Sequence, residues 1–365
     1  MHSAPAPKTP ASAICRRDLR DEMPAKISPA VSVIIPLFNA ERYVAECLTS
    51  LTNQTLKNFE IVVADDCSTD NSVAVVQNFF ATFGDRLKVL QLSKNSGAPG
   101  IPRNFAINAA GGEYIFFLDA DDLLDTAALE NFYIVAKNFD ADVVHAERSL
   151  SFVESPGKFE AGFFVFQTGN FVTAPTLETF DTKKRVEDFI DKRYLWWGCN
   201  KLLRRKFLVD NAITFRPLPR FEDFLFALKC LLAAKNYVRV PFVDYYYRIR
   251  PDSMSHKIYD AAEISDDLTK IFHAVDEFLT DEKFFRDNFR YRYPILDLFM
   301  REQLDWVAEA FFTKNNFKPA ELFELLRRKI FSREPEKNVA LTAYLFVAAN
   351  LLTLHKNQST TEVSI

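Results

Sequence analysis

Glycine is scarce in this sequence, with 9 glycines among 365 residues. Loops that wrap a phosphate in backbone amides need clustered glycines, as in the G-x-G-x-x-G pattern or the P-loop pattern. Neither pattern occurs, and the loop 94–104, which contains Gly97 and Gly100, does not match their spacing. The dinucleotide-binding and P-loop classes of protein are therefore disfavoured.

Paired cysteines are also lacking. The five cysteines are odd in number and scattered along the chain: Cys15, Cys47, Cys67, Cys199 and Cys230. Such spacing is not that of a zinc site, which needs closely spaced pairs of ligands. Reduced thiols of this kind are typical of a cytoplasmic protein.

An excess of basic residues and a membrane-spanning run are missing as well. The net charge of -4 argues against a nucleic-acid partner, since such proteins usually carry a basic surface. The longest apolar stretch, 339–354, is shorter than the roughly 20 residues that cross a bilayer. No apolar run follows Arg16 and Arg17, so no secretory signal peptide is expected. We predict a cytoplasmic protein, and leave open peripheral contact with the inner face of the membrane.

The pattern that is present alternates strands with helices. Residues 1–28 contain several prolines and no periodicity, and they predict a flexible tail. Strands are predicted at 31–35, 59–64, 87–92 and 113–118, and helices at 40–52, 68–83 and 102–110. This order indicates an α/β fold whose mostly parallel central sheet is flanked by helices. One more strand is predicted at 238–248, and helices at 263–278, 295–312, 319–331 and 339–355.

Three of the predicted strands end in polar residues. Asn39 follows the first, Asp65 and Asp66 follow the second, and the run 119–122 follows the fourth. Ligands of open α/β sheets bind at the carboxyl ends of the strands. These side chains are therefore expected to converge on one site.

The run 119–122 contains three carboxylates, Asp119, Asp121 and Asp122. Carboxylates this close repel one another unless a cation or hydrogen bonds neutralise them. Oxygen ligands of this kind suit Mg²⁺ or Mn²⁺. The alternative is a solvated loop in which Asp121 or Asp122 caps the helix that begins near residue 125.

Five further residues are candidates for contact with a ligand or acceptor. Asp66 can accept hydrogen bonds from a base or a ribose, although an N-cap at Ser68, Thr69 or Asp70 is the simpler explanation of this pattern taken alone. Phe38 can stack on a base or belong to the core. Arg103 suits a phosphate. Glu222 and Asp223 open an apolar helix, where one carboxylate can act as a general base or both can simply favour the helix N-terminus.

Four segments together resemble the family 2 inverting glycosyltransferases with the GT-A fold, of the type that builds cell-surface polysaccharides. The segments are collinear, and they are 31–39 (VSVIIPLFN), 50–55 (SLTNQT), 59–70 (FEIVVADDCSTD) and 112–122 (GEYIFFLDADD). Residues 197–201 (WGCNK) resemble an acceptor-side segment of those enzymes. The resemblance covers about 29–256.

The resemblance implies a role for each matching residue. Pro36, Phe38 and Asn39 match the loop beside the nucleotide base, and Asp66 matches the carboxylate that recognises uracil. Arg103 matches a basic residue near the nucleotide. In the matching Asp-x-Asp motif, Asp121 binds the metal and Asp119 lies beside it. Asp223 matches the catalytic base, with Glu222 as the less favoured neighbour.

The implied reaction is a single displacement with inversion. Asp223 takes the proton of an acceptor hydroxyl as that hydroxyl attacks the sugar of a nucleoside-diphosphate donor, most simply a UDP-sugar. The implied cofactor is Mn²⁺ or Mg²⁺, and the acceptor is a glycan, a lipid-linked glycan or another hydroxyl compound. Two alternatives remain open: a nucleotidyltransferase of nucleotide-sugar synthesis, and a catalytically inactive sugar-binding protein.

The predicted domain division follows these patterns. Residues 29–150 form the nucleotide-sugar-binding half of the GT-A domain, and residues 151–258 form its acceptor-binding half. Residues 259–365 form a helical C-terminal region. That region is interpreted as an internal helical domain, a self-association surface or a contact with a membrane that bears lipid-linked acceptor.

Overall fold

The computed structural model describes residues 28–155, 158–164, 171–250 and 261–299. Its larger sheet contains eight strands in the order β3-β2-β1-β4-β10-β6-β11-β9. In chain order these strands are β1 (Val31–Leu37), β2 (Phe59–Asp65), β3 (Leu87–Gln91), β4 (Tyr114–Phe117), β6 (Val143–Ala146), β9 (Thr176–Leu177), β10 (Lys201–Arg204) and β11 (Tyr237–Val240). A smaller sheet, in the order β5-β12-β7-β8, contains β5 (Leu123–Leu124), β7 (Ser149–Ser155), β8 (Lys158–Phe164) and β12 (Tyr245–Ile249).

Helices cover both faces of the larger sheet. They are α1 (Val44–Thr52), α2 (Ser72–Gln77), α3 (Phe80–Phe83), α4 (Gly100–Ala109), α5 (Ala128–Asn138), α6 (Thr182–Ile190), α7 (Arg205–Asp210), α8 (Glu222–Ala233), α9 (Ala261–Asp281) and α10 (Lys283–Asp287), with residues 292–299 also helical. Successive side chains of a strand point to opposite faces. Ile34 accordingly packs in one core, and Val33 and Ile35 pack in the other. This arrangement confirms the predicted α/β fold.

The centre of the larger sheet is parallel, and β10 runs the other way. Strands β3, β2, β1 and β4 are all parallel neighbours. β10 lies antiparallel between β4 and β6, with Leu202 opposite Phe116 on one side and Val144 on the other. The residues that precede β10 therefore lie at the edge where β4 and β6 end.

Two of the predicted elements are wrong. The single strand predicted at 238–248 is two strands, β11 and β12, which belong to different sheets. Pro241 lies between them, and a proline cannot donate to a strand ladder. The helix predicted at 68–83 is the two short helices α2 and α3. The Asp70 carboxylate accepts a hydrogen bond from the Ser72 backbone N–H at 2.9 Å, so the first helical turn begins only there.

The α9 helix confirms the helix predicted at 263–278 and shares a core with the sheet. Ile271, Val275 and Phe278 belong to the same buried cluster as Ile34 and Phe117. No helix among the described residues is long and apolar enough to cross a membrane. The predicted boundary at 258, the tail before residue 28 and the helices predicted at 319–331 and 339–355 lie outside the described residues, so the domain division stays a prediction.

Gly112 lies just before β4 and contacts β1, so its replacement tests this packing. Its N–H donates to Ser32 Oγ at 2.9 Å, and a Cβ at this position would lie 2.5 Å from the Ser32 backbone nitrogen. We expect Gly112→Ala to lower the free energy of unfolding by about 1–3 kcal/mol, as overpacking does. Urea denaturation measures this change.

Gly111→Ala is the matched control, because a Cβ on Gly111 would lie 3.4 Å from its nearest neighbour, Glu60 Oε1. Equal stability of the two variants would contradict the close approach of Gly112 to β1.

Candidate active site

The three carboxylates that follow β4 have different environments. Asp122 is buried, and it accepts hydrogen bonds from the Tyr245 hydroxyl at 2.6 Å and from the Arg248 backbone N–H at 2.8 Å. Burial, with the charges of Asp121 and Asp119, raises its pKa well above the usual range. Asp122 thus attaches the loop to β12 and is not available as a surface ligand.

Asp121 contacts two arginines: Arg248 of β12, and Arg250, which directly follows that strand. Its Oδ2 accepts a hydrogen bond from Arg250 Nε at 2.5 Å, and its carbonyl oxygen accepts one from Arg248 Nε at 2.8 Å. Burial raises the pKa of Asp121, and the positive charge of Arg250 opposes that effect. Asp121 therefore lies between the positive charge of Arg250 and the negative charge of Asp119.

Arg103 connects the Asp119 end of the site to the start of α8. This arginine of α4 is 3% exposed. Its Nη2 donates to Asp119 Oδ1 at 2.7 Å, and its Nη1 donates to Glu222 Oε1 at 3.0 Å and to Asp223 Oδ1 at 3.2 Å. One guanidinium thus contacts three carboxylates from two elements that are more than 100 residues apart.

The two carboxylates of α8 differ in how well the solvent reaches them. The Glu222 side chain is 6% exposed and that of Asp223 is 18% exposed. Burial and then the charge of Asp223 raise the pKa of Glu222 to about 8. Burial also raises the pKa of Asp223, while Arg103 and the N–H of Gly198 act to lower it.

Two glycines allow these close contacts. The Gly198 N–H donates to Asp223 Oδ2 at 2.8 Å, and a Cβ on Gly198 would lie 2.8 Å from Asp223 Oδ1. A Cβ on Gly100 would lie 2.9 Å from Phe215 Cβ and 3.1 Å from Glu222 Cγ. Neither position has room for a side chain.

The predicted nucleotide side lies at the ends of β1 and β2. Phe38 is 49% exposed, as a ring that stacks on a ligand would be. Asn39 has a positive φ of 48°, and its Oδ1 accepts a hydrogen bond from the Thr69 N–H at 2.8 Å. Pro36 lies within β1, opposite Ala64.

Asp66 holds the loop that precedes α4. Its carboxylate accepts hydrogen bonds from the Ser96 N–H and the Ser96 hydroxyl, each at 2.8 Å, and from the Asn95 side chain at 3.3 Å. Both terminal nitrogens of Arg103 likewise already donate hydrogen bonds to carboxylates. Contact of Asp66 with uracil and of Arg103 with the nucleotide therefore stay predictions.

Sequence reasoning missed two arginines of the site, Arg248 and Arg250, and gave no individual role to Gly198 and Lys201 within the WGCNK segment. Arg248 and Arg250 lie two residues apart at the end of β12, and polar residues follow the other strands of the site in a similar way. Gly198 lies in the WGCNK segment, but only its contact with Asp223 shows why a glycine is needed there. Within the described residues no group of three His, Cys, Asp or Glu side chains is placed to hold a metal ion.

Residues 32–209 match the family model described as glycosyl transferase family 2. The chain therefore contains a family 2 glycosyltransferase domain, as its motifs indicated.

Two relatives with assigned names are similar to this chain. One is the poly(ribitol-phosphate) beta-glucosyltransferase of Bacillus spizizenii, 32% identical over 226 residues that cover 61% of this chain and 32% of that protein. The other is the poly(ribitol-phosphate) beta-N-acetylglucosaminyltransferase TarP of Staphylococcus aureus, 31% identical over 220 residues that cover 59% of this chain and 62% of that protein. The matched region thus spans about a third of the first relative and about three fifths of the second.

The fold is also similar to that of a solved structure. The crystal structure of S. aureus TarS 1-349 in complex with UDP-GlcNAc has a TM-score of 0.63 and is 24% identical, over 91% of this chain and 92% of that one. This likeness confirms the expected GT-A fold.

The raised pKa of Glu222 predicts how stability depends on pH. A carboxyl group whose pKa is higher in the folded protein binds more protons there, so its ionisation lowers stability as the pH rises from about 4.5 to about 8. Glu222→Gln cannot ionise. We expect its melting temperature to match that of the wild type near pH 5, and to exceed it by on the order of 3 °C at pH 8.5.

Glu277→Gln is the control, since Glu277 is half exposed in an ion pair with Arg216. A difference in melting temperature between the wild type and Glu222→Gln that stays the same from pH 5 to pH 8.5 would contradict a raised pKa at this site.

Proposed function

We propose that this protein is an inverting glycosyltransferase that moves a sugar from UDP to a hydroxyl group of a cell-surface polymer. The observation that carries the proposal is the cluster of Asp119, Glu222 and Asp223 around Arg103, at the sheet edge of a family 2 domain. The names of the relatives support a polyol-phosphate polymer as acceptor. The structural neighbour crystallised with UDP-GlcNAc supports UDP as the nucleotide.

Asp223 is the proposed general base. Its Oδ1 and Oδ2 are held by Arg103 and by the Gly198 N–H, and its side chain is more exposed than that of Glu222. An acceptor hydroxyl can therefore reach Asp223. Burial and the neighbouring charge of Asp223 raise the pKa of Glu222 to about 8, so Glu222 ionises less readily than a solvent-exposed carboxyl group.

Arg103 is the proposed connection between the donor and the acceptor sides. Its positive charge favours the ionised form of Asp223, which is the form that accepts a proton. The same guanidinium fixes Asp119 beside the diphosphate end of the site. Arg103 thereby keeps the proton acceptor and the donor-binding loop in a constant geometry.

Asp119 and Asp121 are the proposed ligands of a divalent cation. Mg²⁺ is commonly held by one or two carboxylates together with substrate phosphates, so two carboxylates of one loop fit such a site once a diphosphate is present. Arg250, which donates to Asp121 Oδ2, would then share this carboxylate with the cation. When bound, the cation supplies positive charge that stabilises the departing diphosphate.

Transfer assays test the proposed function. Purified protein, UDP-GlcNAc or UDP-glucose, and poly(ribitol phosphate) are expected to give UDP and a β-linked product, which NMR distinguishes from the α anomer. We expect Asp223→Asn to lower kcat by about 10² to 10⁴-fold, since it keeps the shape of the side chain but cannot accept the proton. Its affinity for UDP should change little.

Glu222→Gln is the matched control, and its kcat is expected to fall much less. A larger loss at Glu222 than at Asp223 would transfer the role of base to Glu222. Absence of transfer with each UDP-sugar and each polyol-phosphate acceptor would contradict the function itself.

Metal dependence is tested separately. Excess chelator should abolish transfer, and added Mn²⁺ or Mg²⁺ should restore it. We expect Asp121→Ala to weaken Mn²⁺ binding in the presence of UDP more than about tenfold, because the charge of the ligands sets the affinity for a hard cation. Electron paramagnetic resonance measures this binding without turnover.

Asp210→Ala is the control for loss of a carboxylate, because Asp210 is exposed in an ion pair with Lys206. Full transfer activity in excess chelator would remove the cation from the reaction.

A further inference from the structure

Lys201 is a buried cation that the proposed chemistry does not use. It is the first residue of β10 and is 1% exposed, although lysine is almost never fully buried unless it is paired. Its Nζ donates to the Leu195 carbonyl oxygen at 2.9 Å and to the Trp197 carbonyl oxygen. Burial lowers the pKa of its ammonium group to about 8. A position that retains a cation against this penalty invites a functional explanation.

Both carbonyl groups belong to the loop that approaches the proposed base. We define the base loop as residues 195–198. It ends at Gly198, whose N–H donates to Asp223 Oδ2 at 2.8 Å. The absence of a side chain on Gly198 lets the backbone contact the carboxylate directly. A shift of the base loop by a fraction of an ångström would therefore move Asp223 or break this hydrogen bond.

Other contacts hold the residue before the base loop and a side chain within it. Just before it, the Tyr194 hydroxyl donates to Glu178 Oε2 at 2.9 Å. Within it, the Trp196 ring packs against Phe221 and Phe224 at centroid distances of 5.9 and 6.3 Å. The Leu195 and Trp197 carbonyl oxygens are held by the Lys201 ammonium group, so a side chain of the protein itself supplies the positive charge at this position.

We propose that Lys201 is a positioning residue, whose buried ammonium group fixes the base loop so that the Gly198 N–H holds Asp223 ready to accept the acceptor proton. The proposal rests on the role of Asp223 given above. It assigns Lys201 no contact with donor or acceptor. The effect reaches the reaction only through the backbone of residues 195–198 and the carboxylate of Asp223.

The test compares Lys201→Met with Lys229→Met. Lys229 of α8 also donates to a backbone carbonyl, that of Ala212 at 2.9 Å, but it is only partly buried and contacts a different loop. We expect Lys201→Met to lower kcat by about 10 to 10²-fold, the loss that a small misplacement of a reacting group produces. The KM for the UDP-sugar should stay within about twofold of the wild-type value. Lys229→Met should leave both constants unchanged.

Hydrogen exchange gives a readout that does not depend on turnover. Peptides that cover 195–199 should exchange faster in Lys201→Met, because the Gly198 amide loses its fixed partner, and should be unchanged in Lys229→Met. Gly198→Ala should give the same kinetic pattern as Lys201→Met. The double variant should be no slower than the slower single variant, since residues that act through one contact are not additive.

Three outcomes would overturn the proposal: an unchanged kcat with unchanged exchange in folded Lys201→Met, a loss that falls on the KM for the donor instead of on kcat, or fully additive losses in the double variant. If Lys201→Met does not fold, Lys201→Gln, which keeps a hydrogen-bond donor, is measured by the same criteria, and Gly198→Ala decides whether the loop controls kcat. Failure of the wild type to transfer sugar would instead contradict the proposed function, and the exchange result would still stand on its own.

Discussion

The site depends on one buried cation placed among three carboxylates. Without Arg103, the carboxylates of Asp119, Glu222 and Asp223 would repel one another with no positive charge between them. Without the carboxylates, a buried guanidinium would itself be strongly unfavourable. Each group makes the burial of the others tolerable. The close approach of α8 to α4, which Gly100 permits, is therefore as much a part of the site as the charges are.

A second constraint acts on the same carboxylate from the opposite side. Arg103 holds one oxygen of Asp223, and the Gly198 N–H holds the other. A carboxylate with both oxygens fixed loses its rotational freedom before a substrate arrives, which is how preorganised groups contribute to catalysis. The arrangement links three elements in series, namely α4, α8 and β10. The last link is Lys201, which holds the backbone that carries Gly198.

Much of this could be predicted from local sequence patterns, and the reasons are physical. Apolar runs that end in Asn39, Asp66 or Asp119 reveal parallel strands, because burial on both faces requires continuous apolar residues and the strand ends must return to water. The start of α8 at Glu222 could be predicted for a similar reason, because two acidic residues precede an apolar run. What no local pattern contains is a contact between distant segments. The partners of Arg103 and Arg250, the break of the 238–248 segment at Pro241, and the need for Gly198 became visible only once the sheets were assembled.

The reversed strand β10 has a consequence for the chain while it is being synthesised. β4 and β6 flank β10 in the sheet, yet residues 201–204 follow β6 by more than fifty residues. Until they emerge from the ribosome, β4 presents an open edge, and β6 has neither of its neighbours. Such an edge readily pairs with other chains. Nascent chains stalled between β6 and β10 should therefore be the form of this protein that most needs a chaperone.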